Sequence, residues 1–241
     1  MTPDRLNLRI ANGKPALSPT DIRIARGGGR AWLFGFVDDA RLQEGLLALL
    51  ADDEQARASA FVVSSARNHY VQTRAVLRLL LGYRLGVPAE TLVFEYGPYG
   101  KPSLRDGGGC GFNVAHSGGY ALLAMAEDGL QVGVDIEQQR ETSDLRALAR
   151  MVLSASEARA WAALPDAERA PAFFSAWTAK EAIVKAVGRG LGLGLPSLDL
   201  GSQAAPEGGH RVDAGEFGSC RLTPLTVPAG YAAALALHDP A

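Results

Sequence analysis

Two short stretches of this sequence carry residue types that could do chemistry together. The first is Val132-Gly133-Val134-Asp135-Ile136-Glu137. It alternates as a strand does, so Asp135 and Glu137 share one face while Val134 and Ile136 share the other. Adjacent carboxylates repel unless solvent or a cation lies between them, and a hard divalent cation would make the pairing favourable. The competing reading is a strand end fraying into water before Gln138-Gln139-Arg140. The second stretch runs from Phe173 to Lys185. Trp177, Glu181 and Lys185 recur at every fourth residue, which puts them on one helix face and leaves Ala179, Ala182, Ile183 and Ala186 for a core. An ordinary Glu-to-Lys surface pair has the same spacing and is worth only about 0.2–0.5 kcal/mol.

Other residues stand out less. The 24 basic residues include only four lysines, Lys14, Lys101, Lys180 and Lys185. In such an Arg-rich background, a position that keeps Lys is a candidate for needing a compact ammonium rather than a planar fork. His116, in Asn113-Val114-Ala115-His116-Ser117-Gly118-Gly119, could grip a phosphate together with the serine and exposed backbone N–H groups, or could be a turn residue. It forms no nucleophile pair with Ser117, because strand neighbours point to opposite faces. Ser154-Ala155-Ser156-Glu157 has the spacing of a helix capping box, which accounts for Glu157 without any function. The glycines at 188, 190, 192 and 194 do not form a dinucleotide-binding fingerprint, and no P-loop pattern occurs.

These residues need elements to hold them. Ala31–Val37 reads as a buried strand and Arg41–Ala51 as a helix. A longer helix, beginning at about Asp53 or Arg67, runs to Leu85 on an apolar face of Val76, Leu77, Leu80 and Leu81 and stops at Gly86-Val87-Pro88. Thr91–Tyr96, Phe112–His116, Tyr120–Ala126 and Gln131–Glu137 read as strands, with a turn-rich loop over Gly97–Pro102. Helical stretches follow over Asp144–Leu153, Ser156–Ala163 and Ala170–Val187, then a loop over Gly188–Pro196 and strands ending in Tyr231–Leu237. Gly119-Tyr120-Ala121-Leu122-Leu123-Ala124-Met125-Ala126 is echoed by Gly230-Tyr231-Ala232-Ala233-Ala234-Leu235-Ala236-Leu237, 111 residues on. Either two related halves of about 110–120 residues or coincidence between alanine-rich strands explains the echo.

Composition narrows the function classes. Of 241 residues, 24 are Lys or Arg and 26 are Asp or Glu, for a formal charge of −2. That excludes a nucleic-acid binder relying on bulk positive charge. Apolar residues at 47% are enough for a real core. No apolar run approaches the roughly 18 residues of a membrane span, and the charged Asp4, Arg5 and Arg9 do not suit a signal peptide. Cys110 and Cys220 are too few and too far apart for a disulfide framework or zinc site. A soluble cytoplasmic protein is expected.

In order along the chain, Tyr70-x-x-x-Arg74-x-x-x-Arg78, Gly100-Lys101-Pro102, Phe112-Asn113-x-x-His116-Ser117, Gly133-Val134-Asp135-Ile136-Glu137 and Trp177-Thr178-x-Lys180-Glu181-Ala182-x-x-Lys185 resemble the Sfp-type 4′-phosphopantetheinyl transferases. The resemblance spans about residues 67–195. It implies an α+β fold of two similar halves about a pseudo-twofold axis, residues 1–128 and 129–241, the second carrying most of the metal-binding carboxylates, with coenzyme A between them. The implied reaction moves phosphopantetheine from coenzyme A to a serine of an apo acyl or peptidyl carrier protein, releasing adenosine 3′,5′-bisphosphate. A monomer is implied, one chain supplying both walls of the site.

The resemblance also implies roles. Asp135, Glu137 and Glu181 would surround Mg²⁺, and Glu181 would take the serine proton, directly or through water. Lys185 would stabilise the leaving phosphate, and Arg74, Lys101 and His116 would grip coenzyme A phosphates. Glu157 falls where the family carries a supporting acid, so cap and site acid both remain open. Ala115 stands where Ser is common in the family, and Phe61–Ala66 is less basic than the family's early helix. Arg146, Arg150 and Arg159 are candidate docking residues for an acidic carrier helix, or a solvated helical face. A Mg²⁺-dependent nucleotide phosphodiesterase and a non-catalytic carrier-binding relative are the competing functions.

Overall fold

Two four-stranded antiparallel sheets pack face to face, and each is backed on its outer side by helices. This is a computed structural model. It describes residues 28–106, 109–140, 144–188, 194–201, 209–215 and 218–239, together with the backbone of three short strands before residue 28. Lys14, Gly190 and Gly192 lie outside the described residues. In chain order the strands are β1 Leu8–Arg9, β2 Pro15–Leu17, β3 Thr20–Arg23, β4 Gly29–Gly35, β5 Phe94–Tyr96, β6 Pro102–Leu104, β7 Gly111–Ser117, β8 Tyr120–Ala126, β9 Gln131–Gln138, β10 His210–Asp213, β11 Ser219–Pro224 and β12 Tyr231–His238. The helices are α1 Ala40–Leu47, α2 Asp52–Ser59, α3 Ser64–Leu85, α4 Leu145–Val152, α5 Ala155–Ala162 and α6 Asp166–Val187.

The first sheet has the order β3-β4-β8-β7 and the second β10-β11-β12-β9. Each half runs from a strand (β4 or β9) through two helices of 8 residues and one of 22, then a 3₁₀ turn. It then returns to the sheet so that its last strand, β8 or β12, pairs with its first. Both long helices end on a glycine in the left-handed region, Gly86 and Gly188, where a side chain would be strained. The connection between halves is equally specific. Asp128 and Gly129 both take positive φ, and Leu130 N–H returns to Glu127 O, so the chain leaves β8 and enters β9 through a tight turn.

Strand alternation sorts the apolar residues into three layers. Ala121, Leu123 and Met125 of β8 face α3, whereas Leu122, Ala124 and Ala126 face the other sheet. On β12, Ala234 and Ala236 face α6, while Ala233, Leu235 and Leu237 face inward. The echoed tyrosines meet: the Tyr120 and Tyr231 rings lie 5.0 Å apart at 84°, and Gly119 N–H donates to the Tyr231 hydroxyl. Among the described residues no helix is long and apolar enough to cross a membrane.

Several boundaries differ from the sequence reading. Of the two starts expected for the long helix, Arg67 lies close to the observed start of α3 at Ser64, whereas Asp53 belongs to the separate helix α2, because the chain between them turns at residues 60–63. Thr91 belongs to a 3₁₀ turn over Ala89–Thr91 and not to the strand, which starts at Phe94. Helix α6 begins at Asp166 and accommodates Pro171 within it. Pro171 is exposed, so solvent can take the carbonyl that the missing N–H leaves without a partner.

The helix–sheet contact that matters most is at Gly133. A Cβ there would collide with Ala182 O and Ala186 N of α6 and stand 2.9 Å from the Lys185 carbonyl carbon. The α6 backbone therefore rests directly on β9. We expect Gly133→Ala to lower the unfolding free energy by about 3 kcal/mol or more, measured by denaturant unfolding. Gly45→Ala is the matched control: nothing lies within 4 Å of its Cβ position on α1, and it should stabilise by up to about 1 kcal/mol through helix propensity.

Candidate functional site

With α6 seated on Gly133, the face of β9 that carries Asp135 and Glu137 meets the face of α6 that carries Glu181 and Lys185. Val132, Val134 and Ile136 are buried between the sheets, as the alternation requires. The Lys185 ammonium sits 2.6 Å from Asp135 Oδ1. Asp135 is only 4% exposed, and this burial pushes its carboxyl up to about 7. Lys185 opposes that rise, and the nearby Glu137 and Glu181 add to it. Burial, reinforced by Glu137 and opposed by Lys185, also raises the Glu181 carboxyl. The acidic strand is therefore not a frayed end, because its carboxylates share one field with α6.

His116 reaches the same field from β7, in the other half. Its pKa is lowered by desolvation and by Lys185, against the pull of Glu137. The Phe36 ring stands edge-on to His116 at 6.4 Å and stacks on His69 of α3 at 3.8 Å. Neither Phe36 nor His69 carried a sequence signal. The strand β7 brings a third contributor: Ser117 Oγ donates to Glu137 Oε2 at 2.7 Å. Thus Asp135, Glu137, Glu181, Lys185 and His116 converge where the two halves abut.

Among the described residues no three His, Cys, Asp or Glu side chains are gathered closely enough to hold an ion as placed, and Asp135 Oδ1 is taken by Lys185. Asp135 Oδ2, however, is buried and accepts no hydrogen bond. Asp135, Glu137 and Glu181 act on one another electrostatically, and all their donor atoms are oxygen, which suits a hard divalent cation. The residues fit such an ion without forming a finished cage for it.

The remaining sequence candidates are held elsewhere. Lys101, in the β5–β6 hairpin, donates to Ala186 O at the C-terminal end of α6, and its burial brings its pKa down to about 8. Arg74 of α3 is bound to Glu54 of α2, with the Tyr96 hydroxyl 3.3 Å away and the Phe94 ring beneath it. Arg78 shares Glu54 and donates to Ala89 O and Leu92 O. The Arg74 guanidinium is thus committed within the first half. Arg146, Arg150 and Arg159 are exposed on α4 and α5. The first two border a groove of about 340 Å³ that also includes Trp161 and Arg169.

Glu157 forms the capping box, since its carboxylate accepts from Ser154 N–H at 2.7 Å. It also binds Lys180, which the sequence offered as one of four lysines and as a member of the Trp177–Lys185 motif. Lys180 is fully buried, and its three N–H donors reach Glu157 Oε2, Val152 O and Leu195 O at 2.6, 2.8 and 3.1 Å. The second Glu157 oxygen takes Leu200 N–H. Lys180 is the knot that ties α6 to α4, α5 and the chain entering β10. Neighbouring Lys185 is its opposite, partly open and held by one carboxylate.

Known proteins place this arrangement. A model described as the 4′-phosphopantetheinyl transferase superfamily matches residues 131–236. The chain is 39% identical over 156 residues to the 4′-phosphopantetheinyl transferase HetI of Nostoc sp. (strain PCC 7120), a match covering 64% of this chain and 65% of that protein. A putative 4′-phosphopantetheinyl transferase, slr0495 of Synechocystis sp., is 35% identical over 159 residues, covering 65% and 64%. The 4′-phosphopantetheinyl transferase AcpT of Salmonella typhimurium is 35% identical over 151 residues, covering 62% of this chain and 76% of that protein. The chain thus spans just under two thirds of the first two relatives.

Two outcomes follow from the buried charges. Asp135 has a folded pKa near 7 against an ordinary value near 3.9, so the folded state binds the extra proton. Asp135 therefore costs stability progressively as pH rises from about 4 through 7. In EDTA, Asp135→Asn should unfold at a higher temperature than wild type at pH 8, and the gain should shrink toward pH 4. Lys180→Met strands Glu157 and should cost about 3–5 kcal/mol, read by chemical denaturation.

Proposed function

The chain belongs to the 4′-phosphopantetheinyl transferase superfamily, and we propose that it transfers phosphopantetheine from coenzyme A to the serine hydroxyl of an apo acyl or peptidyl carrier protein. The observation that carries this reading is the convergence of Asp135, Glu137, Glu181, Lys185 and His116 at the junction of the halves, on the motif positions that resemble that family. Transfer breaks the pyrophosphate P–O bond to adenosine 3′,5′-bisphosphate and forms a P–O bond to the serine. The serine proton must leave, and negative charge grows on the departing phosphate.

Glu181 suits the first need. Its raised carboxyl holds a proton more strongly than a free glutamate, which favours taking one from a hydroxyl or from an intervening water. Lys185 suits the second, as a partly exposed ammonium already poised at the carboxylate cluster. Asp135, Glu137 and Glu181 would hold Mg²⁺, with the unpaired Asp135 Oδ2 as its first donor. When bound, that ion would neutralise charge on the pyrophosphate. His116, in the field of Lys185 and Glu137, and Lys101, bonded to Ala186 O near the α6 end, are offered to the coenzyme A phosphates, Lys101 by releasing that carbonyl. Arg74, bound to Glu54 and beside the Tyr96 hydroxyl, enters as the support of those two residues.

The repeated element order of residues 29–126 and 131–238, and the meeting of Tyr120 with Tyr231, support two halves related by a pseudo-twofold axis with coenzyme A across it. Division of the chain at residues 128 and 129 agrees with the tight turn there. A monomer in the cytoplasm is consistent with one chain supplying both walls.

Intact mass spectrometry of an apo carrier incubated with the protein, coenzyme A and Mg²⁺ tests this. A gain of one phosphopantetheine group is expected, lost in EDTA. Glu181→Gln should fold normally and cut turnover about 10²–10⁴-fold. Wild-type turnover in that variant overturns the role of Glu181. Coenzyme A cleavage without any carrier would mark a phosphodiesterase instead.

A further inference from the structure

The seam between the halves joins two sheet edges. β7 ends the order of the first sheet and β9 ends that of the second, so each carries backbone groups with no strand beside them. Two of those on β9, the N–H groups of Val134 and Gln138, are satisfied by side chains of β7. Asn113 Oδ1 accepts from Val134 N–H at 3.0 Å, and Ser117 Oγ accepts from Gln138 N–H at 3.1 Å. The two anchors are four residues apart on both strands. Asn113 and Ser117 are buried, so removing either strands an amide away from water.

Ser117 does more than Asn113. Its oxygen accepts from Gln138 N–H, which leaves the hydroxyl proton to be given away, and it goes to Glu137 Oε2 at 2.7 Å. The two bonds together fix the hydroxyl rotor. Glu137 lies near the end of β9, half-buried, with a long side chain that would otherwise sample several rotamers. Its charge acts on Asp135, Glu181 and His116, so its orientation sets how these carboxylates face one another. A serine from one half thus aims a carboxylate of the other.

We propose that Ser117 is the positioning residue for Glu137, holding its carboxylate in the orientation that a divalent cation and the pyrophosphate require. The proposal rests on the transfer reading above. Groups that orient a metal-binding carboxylate typically contribute 10–100-fold in affinity or rate, without touching ion or substrate.

The test compares Ser117→Ala, Ser117→Thr and Asn113→Ala with wild type. Asn113→Ala removes the same kind of seam anchor without touching Glu137, so it reports the purely structural effect. Mn²⁺ binding is read by electron paramagnetic resonance on protein without substrate, and kcat and KM for coenzyme A on the same samples. Ser117→Ala should weaken Mn²⁺ about tenfold and lower kcat by a similar factor, with KM for coenzyme A changed less than about twofold. Ser117→Thr, which keeps the hydroxyl, should recover most of both. Asn113→Ala should lower the melting temperature while leaving Mn²⁺ affinity near wild type. Wild-type Mn²⁺ affinity in Ser117→Ala, equal losses in Asn113→Ala, or no Mn²⁺ binding by wild type would each overturn the proposal. If wild type binds Mn²⁺ yet modifies no carrier, the transfer reading fails while the Mn²⁺ series still decides the part played by Ser117.

Discussion

The absence of a side chain at Gly133 is the constraint on which the site depends. Any Cβ there would push α6 off β9, and with it the helix face carrying Glu181 and Lys185. The 2.6 Å contact between Lys185 and Asp135 exists because two backbones touch two residues earlier on the strand. The same closeness buries Asp135, and burial, helped by the Glu137 and Glu181 charges and opposed by Lys185, is the main cause that lifts its pKa. Geometry and electrostatics here have one cause. From the other side of α6, Lys180 holds the helix in register by binding Glu157, Val152 O and Leu195 O, so α6 has little freedom to slide along the strand.

The second organising feature is the seam. Each half has its own helix-backed core, and the third core lies between the sheets. Apolar contact of small residues such as Ala124, Ala126 and Ala233 lets the sheets come close but specifies little about their register. Register comes from the polar anchors Asn113 and Ser117 on Val134 and Gln138, and from the Tyr231 hydroxyl on Gly119. Buried hydrogen bonds of this sort gain modestly in stability but penalise every misaligned alternative with unsatisfied donors. Because β7 brings His116 and Ser117 while β9 brings Asp135 and Glu137, neither half holds the full set alone.

The parts of this arrangement that were legible in the sequence are those governed by local periodicity. The alternation of Val132–Glu137 placed two carboxylates on one face, and the four-residue spacing of Trp177, Glu181 and Lys185 placed three side chains on another. Capping at Ser154 was equally local. What was not legible depends on pairs distant in sequence. Glu54 sits in Asp52-Asp53-Glu54, which reads as an acidic first turn, yet it is buried beneath Arg74 and Arg78 of the next helix. Ser117 reads as part of a phosphate grip with His116 and not as a partner of Glu137, since its partners are 20 and 21 residues away. The expected start at Ala170 falls inside a helix that begins at Asp166 and carries Pro171 within it, because a proline breaks a helix only where its missing hydrogen bond and ring cannot be accommodated.

Lys180 and Lys185 show why residue type alone underdetermines role. They share a helix, a motif and the same intrinsic pKa. The ammonium of Lys180 meets three acceptors in a fully buried pocket, so each proton is spent on a fixed oxygen. That saturation is what permits a charge to stay buried, since a lysine with fewer acceptors would lose its proton to desolvation. Lys185, with one carboxylate and partial exposure, retains donors for a ligand. The compact ammonium serves both positions for different reasons: in one it fits a tripod of oxygens, and in the other it can shift between a carboxylate and an arriving phosphate. A guanidinium, planar and longer, matches neither geometry, which gives a physical basis for lysine at these two positions in a chain whose 24 basic residues include only four lysines.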